Sequence, residues 1–304
     1  MDAAVPISFH AGSVGNAAYA AQALALLPRI AVVTPTKNRS QHLPYQATQL
    51  ALQNYPPELI TWVITDSSDS DENSWHDVAD YLVGTGLRHI YHRLPATTTL
   101  GASRNIGLDI VSWMDPVPEY IFFMDDDDIV GYNRIRVTLA AFAAEPDKQV
   151  AGCSRVLLFL LRGETLVEIG SYTDLSGGTV QHALEPTLAV TRDYAVAHRF
   201  DDDDPRGLLG PFLAGFTAPV IQLAAEDICV IIGHDTSTFD KYQIIREEKK
   251  TMFNVHKIYY GYGLRRLWDD WRLDAGLREL FMNAHGDSMN DATKSVIEDA
   301  CKHA

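Results

Sequence analysis

Four consecutive aspartates, Asp125 to Asp128, follow the apolar run Tyr120-Ile121-Phe122-Phe123-Met124. An aromatic and β-branched run of that length reads as a buried strand, so the carboxylates emerge at its carboxyl end, where open α/β sheets bind ligands. Such a cluster repels itself unless a cation sits in it. Hard oxygen donors on neighbouring residues suit Mg²⁺ or Mn²⁺, ions that keep coordination positions open for substrate phosphates. The expectation is a metal–diphosphate site. A bare acidic run is more often a solvated loop, but such a loop needs no buried strand aimed into it. Adjacent side chains after a strand cannot all face one ion. One or two of the four should therefore be exposed or capping, and Asp128 is assigned that role.

Other polar residues sit at comparable places. Asp66 ends the apolar segment Leu59 to Thr65, where a carboxylate can accept hydrogen bonds from a nucleobase N–H or ribose hydroxyls; its alternative is an N-cap or Asx-turn. Asp69 and Asp71 read as turn residues. Arg104 falls in the first turn of a helix, where a cation opposes the macrodipole, and a diphosphate partner would explain the placement. A second acidic run, Asp201 to Asp204, precedes Pro205 and is expected to open a short helix with Asp204 as N-cap. His234 follows the strand-like Ile228 to Ile232.

The elements that must position these residues alternate as a parallel sheet with crossover helices requires. Strands are expected at 30–34, 59–65, 89–92 and 120–124, with helices at 43–53, 75–83 and 102–113. Further strands are expected at 150–159, 167–170 and 228–232, a loop at 171–178, and one helix over 264–282. The expected organisation is an N-terminal arm (1–28), a catalytic domain (29–241, with halves 29–130 and 131–241) and a C-terminal helical extension (242–304).

Composition narrows the function. The 304 residues allow one large domain plus an extension, and a net charge of −15 argues against nucleic acid as a partner. Cys153, Cys229 and Cys301 are odd in number and widely spaced, which suits neither a disulfide framework nor a zinc site. With no run of 18 apolar residues, a cytoplasmic protein is expected. The aromatic and basic tail (Tyr259, Tyr260, Tyr262, Arg265, Arg266, Trp268, Trp271, Arg272) suits an acceptor platform, peripheral membrane contact or a homodimer face, as well as ordinary helix packing.

Set in order, four segments resemble family 2 glycosyltransferases of the GT-A fold. Pro35-Thr36-Lys37-Asn38-Arg39 is similar to the turn after their first strand, Asp66 with its serine- and aspartate-rich sequel to their second-strand acidic motif, Arg104-Asn105-Ile106-Gly107 to their A-R-N-x-G helix start, and Asp125 to Asp128 to their D-x-D motif. The resemblance implies a Rossmann-like, mostly parallel central sheet flanked by helices. It implies that Pro35, Thr36, Asn38, Arg39, Asp66, Arg104, Asn105, Asp125 and Asp126 bind a nucleoside-diphosphate sugar. Asp125 and Asp127, with Asp126 as competitor and His234 completing the shell, would hold Mn²⁺ or Mg²⁺.

The implied reaction moves a sugar to a hydroxyl of a glycan, lipid or small-molecule acceptor, with inversion. Inverting members use a carboxylate base, for which Asp203 or Asp204 is the candidate. Here the chain departs from the family: Leu208-Leu209 stand where an acidic pair is expected. A nucleotide-sugar binder without catalysis is therefore one rival. A haloacid-dehalogenase-type phosphatase is another, although its D-x-D belongs on the first strand, with an aspartate nucleophile.

Overall fold

The computed structural model describes residues 26–69, 82, 86–170, 182–205, 207–234, 241, 254–259, 264–271 and 273–285. Expected features at 1–25, 75–81 and 171–178, together with Asp71, Tyr260, Tyr262, Arg272 and Cys301, lie outside these residues.

The central sheet is built from chain that cannot be exposed on either face. β1 (Ile30–Thr36) and β2 (Ile60–Asp66) are buried at every position, as interior parallel strands should be. β3 (Arg88–Arg93) extends the sheet at one edge and β4 (Tyr120–Phe123) pairs with β1 on the other side. These four strands are parallel, with Thr36 opposite Asp66 and Asp66 opposite Arg93, so their carboxyl ends share one edge. Beyond β4, the antiparallel β9 (Ala189–Thr191) leads to β6 (Val150–Gly152) and β10 (Val220–Gln222), in the order β10-β6-β9-β4-β1-β2-β3. The expected strand–helix alternation is present wherever it can be seen.

α1 (Leu43–Ala51) and α2 (Leu100–Ser112) lie against this sheet. The Thr99 hydroxyl caps α2 by accepting from the Ala102 N–H at 3.1 Å. Gly107 lets α2 approach β1 closely, because a Cβ there would meet Val33 Cγ1 at 2.5 Å.

A second, smaller sheet has the order β12-β8-β7-β11-β5. It contains β5 (Ile129–Val130), β7 (Arg155–Leu160), β8 (Thr165–Gly170), β11 (Cys229–Gly233) and β12 (Asn254–Tyr259). α3 (Arg134–Ala144) follows β5. α4 (Arg192–Ala197), α5 (Leu209–Phe212) and α6 (Ala225–Ile228) connect later strands.

Two expectations need correction. The single strand expected over 150–159 breaks at Cys153-Ser154, and its halves join different sheets. Side chains take the backbone donors there, Thr187 Oγ1 accepting from the Cys153 N–H at 2.9 Å and Gln222 Oε1 from the Ser154 N–H at 3.0 Å. The tail is also not one helix. It supplies the edge strand β12, antiparallel to β8, then α7 (Leu264–Asp270) and α8 (Ala275–His285), the latter opened by Asp274 Oδ1 accepting from the Leu277 N–H. α8 packs on α1 and on the 3-10 turn Ser40–His42. Among the described residues no helix is long and apolar enough to cross a membrane.

Candidate functional site

The tetrad is the bridge between the two sheets. Asp125 follows the end of β4 in the large sheet, and Asp128 precedes β5 in the small one. A five-residue connection, 124–128, held at both ends by buried strands has no room to loop out. Asp126, Asp127 and Asp128 are consequently 1–2% exposed, while the Asp125 side chain is 32% exposed. Of the exposed or capping role expected for Asp128, exposure does not hold: Asp128 is buried, and Asp125 is the outward member. Asp128 Oδ1 accepts from the Ile232 N–H at 2.9 Å, and its Oδ2 is buried without a hydrogen-bond partner among the described residues. The α1 amide of Gln49 fixes the bridge further, donating to the Asp128 carbonyl and accepting from the Val130 N–H.

Carboxylate oxygens of Asp125, Asp127 and Asp128 lie within 4.8 Å of one another. Three acids so close cannot all be ionised without a compensating cation. Burial pushes the Asp125, Asp126 and Asp128 carboxyls up, Asp128 strongly. Asp127 is opposite: burial would raise it too, but Lys241, Arg39 and His234 together hold it well below the carboxylate range. Arg39 donates to Asp127 Oδ2 at 2.9 Å and Asp126 Oδ1 at 3.1 Å, and the Thr36 hydroxyl donates to Asp126 Oδ2 at 2.5 Å. An ionised carboxylate, two close neighbours and an orphaned buried oxygen are a donor set that fits a hard divalent cation.

β11 delivers His234 to the same place, its Nε2 2.7 Å from Asp127 Oδ2. Two further histidines surround it. His42, from the 3-10 turn before α1, has its ring centroid 5.6 Å from that of His234, and His285, at the end of α8, lies 5.2 Å from His234 and 4.6 Å from His42. Burial pushes His42 down to about 3 and His285 well below the usual imidazole range, so both rings are neutral near pH 7.

At the end of β2, Asp66 is buried and already supported. Its Oδ1 accepts from the Ser68 N–H and hydroxyl, and its Oδ2 from the Tyr91 hydroxyl, with Arg93 at 3.1 Å. Asn38, at φ 55°, exchanges hydrogen bonds with Asp69, which ties the first-strand turn to the segment after β2. Pro35, opposite Thr65, lies within β1 rather than after it.

Arg104 is 2% exposed. It donates to the Gly207 carbonyl at 2.8 Å, stands 3.6 Å from Asp125 Oδ1 and 5.3 Å from the Phe200 ring, and its Nε has no partner among the described residues. Asn105 spends its amide on the next loop, donating to the Phe200 carbonyl and Asp202 and accepting from the Phe200 N–H. The acidic run 201–204 is thereby clasped to the start of α2. It opens no helix at Pro205: Asp204 Oδ2 accepts from the Leu208 N–H across a turn, and α5 starts only at Leu209. Asp203 is exposed.

Sequence reasoning missed several groups at this edge: Tyr91 and Arg93 on Asp66, Lys241 near Asp127, His42, His285 and Glu185. The Glu185 carboxyl is pushed up by burial, against the pull of Arg104 and with Asp125 and Asp204 adding to it. No spacing pattern links these residues to the motifs, since each arrives from a different element.

Comparison with known proteins agrees with the geometry. Residues 31–158 match the model of glycosyl transferase family 2. No curated protein matches the chain in sequence. Among solved structures, mannosyltransferase PcManGT from Pyrobaculum calidifontis, in complex with GDP-Man and Mn²⁺, aligns with a TM-score of 0.51 at 14% identity over 76% of this chain and 67% of that one, a likeness of fold. S. aureus TarS 1-349 aligns with a TM-score of 0.49 at 17% identity over 72% of this chain, which spans 63% of its length. The mixed sheet flanked by helices is the GT-A architecture.

Proposed function

We propose that this chain, with its glycosyl transferase family 2 region at 31–158, transfers a sugar from a nucleoside-diphosphate sugar to an acceptor hydroxyl with inversion, using Mn²⁺ or Mg²⁺. The observation that carries the reading is the convergence of Asp125, Asp127 and Asp128 at the strand edge that also holds Asp66 and Arg104. Asp125, Asp127, Asp128 and His234 would hold the cation, which when bound would neutralise charge on the departing diphosphate.

The chain's own residues supply the rest. Asp66, oriented by Tyr91 and Arg93, offers a fixed acceptor to the nucleoside. Arg104 is a desolvated guanidinium held beside Asp125, a placement that gains most when diphosphate charge develops next to it. Asn105 and Asn38 act on loops, keeping the acidic run and the second-strand turn in place.

For the base we propose Asp203 over Asp204, because Asp204 is engaged by the Leu208 N–H. Glu185 is the competing candidate, its carboxyl raised by burial and so a better proton acceptor than a free carboxylate. Replacing each of the three acids by its amide discriminates: the base is the residue whose loss removes transfer while leaving donor binding intact. If no amide variant loses transfer, the base lies elsewhere.

The Leu208-Leu209 departure keeps a second reading in view, a nucleotide-sugar binder without catalysis. Calorimetric titration of UDP, GDP, TDP and CDP sugars with and without Mn²⁺ tests donor binding. Release of nucleoside diphosphate above the uncatalysed rate then separates transferase from binder. The acceptor is proposed only as a glycan, lipid or small-molecule hydroxyl, met at the open face near Asp125, with the tail as a candidate membrane or homodimer contact.

A further inference from the structure

We infer a second, nitrogen-rich cation site beside the carboxylate cluster, formed by His42, His234 and His285, with Asp127 and His234 shared between the two, which takes a divalent first-row transition ion such as Zn²⁺ or Co²⁺. Two independent observations point to it. The first is an unmet need. His42 and His285 are each 1% exposed, and none of their four ring nitrogens has a hydrogen-bond partner among the described residues. A buried polar atom left unpaired costs about 1–3 kcal/mol. Two adjacent imidazoles with every nitrogen orphaned are therefore an expensive arrangement for mere packing, where a phenylalanine or leucine would serve.

The second is shape. The three ring centroids form a triangle with sides of 4.6, 5.2 and 5.6 Å. Three imidazoles on one tetrahedral ion, with metal–nitrogen distances of about 2.0–2.1 Å, place their centroids roughly 5 Å apart. The only set of ligand atoms that already converges, among the described residues, is the carboxylate one. The nitrogen site therefore closes by turning imidazoles about the Cβ–Cγ bond, a broad torsion. The Tyr45 hydroxyl, buried without a hydrogen-bond partner among the described residues and with its ring 6.1 Å from that of His285, stands ready as an outer donor. Imidazole donors select zinc-like ions over Mg²⁺, whereas the carboxylates prefer the harder ion. The two sites are thus chemically distinct although they share Asp127 and His234, whose single imidazole lone pair serves one ion at a time.

The inference does not rest on sugar transfer, and its test uses no nucleotide. The full chain is loaded with one equivalent of Zn²⁺ and studied by X-ray absorption at the zinc edge. Three imidazole scatterers are expected; one or none overturns the site, as does failure to bind zinc. Titration with Co²⁺ gives the second readout. The wild-type chain should show the intense visible bands of a tetrahedral nitrogen site. His285→Phe, which keeps the volume, should weaken that cobalt binding at least about tenfold. An unchanged cobalt spectrum in a His285→Phe protein with native circular dichroism also overturns it.

Discussion

At the scale of single residues, the site depends on where one proton and one orphaned oxygen sit. Asp127 carries the ionised charge, placed between Arg39 and His234 at 2.9 and 2.7 Å. Asp127→Ala is expected to remove nucleotide-sugar turnover altogether, measured as nucleoside diphosphate released with Mn²⁺ present; undiminished turnover would defeat the metal assignment. Asp128 separates the structural reading from the sequence reading. If its buried Oδ2 faces a cation, Asp128→Asn should weaken Mn²⁺ binding by at least about tenfold, read by calorimetry, with the Ile232 hydrogen bond still available to the amide oxygen. If Asp128 only caps the strand, affinity stays the same. Asp128 shows how adjacency misleads: alternation along an extended chain predicts divergent carboxylates, but a bridge between two sheets folds them inward.

Among the elements, α2 carries the greatest functional burden, since it holds Arg104 and clasps the loop 201–204 through Asn105. Its distance from β1 is set by Gly107. A methyl group there meets Val33 and must push the helix outward, so Gly107→Ala should cost about 1–3 kcal/mol in urea unfolding. It should also lower donor affinity, because Arg104 moves with the helix. A variant with unchanged stability would show that the contact relaxes by other means. The positions of β1, β2, β3, β4 and α2 were legible from period and punctuation because each is a long, locally consistent run. The break at Cys153-Ser154 was not, since it depends on Thr187 and Gln222, side chains 34 and 68 residues away.

For the whole molecule, stability should fall in acid. His182 is partly buried and neutral, pushed down to about 4 by that burial, and stacks on Phe216. Its folded value lies below the unfolded one of about 6.5, so the unfolded state binds more protons between those values and stability drops as pH falls from 6.5 towards 4. His182→Phe should flatten that part of the urea midpoint-versus-pH curve relative to wild type; an identical slope would show that the ring titrates freely. The C-terminal helix belongs to the same unit. Phe281 of α8 is fully buried against Tyr45 and Trp268, and Phe281→Ala should destabilise by about 3–5 kcal/mol. By itself the sequence determined the strand–helix order, the acidic strand ends and the family 2 resemblance, because hydrophobic period and short motifs are local properties of the chain. Only the tertiary structure decided that Asp125 rather than Asp128 faces outward, that Asn105 holds a loop, and that His42, His234 and His285 meet. Those facts arise from packing between elements as far apart as residues 42 and 285, and no local pattern in a chain encodes which of its distant buried side chains will share a space.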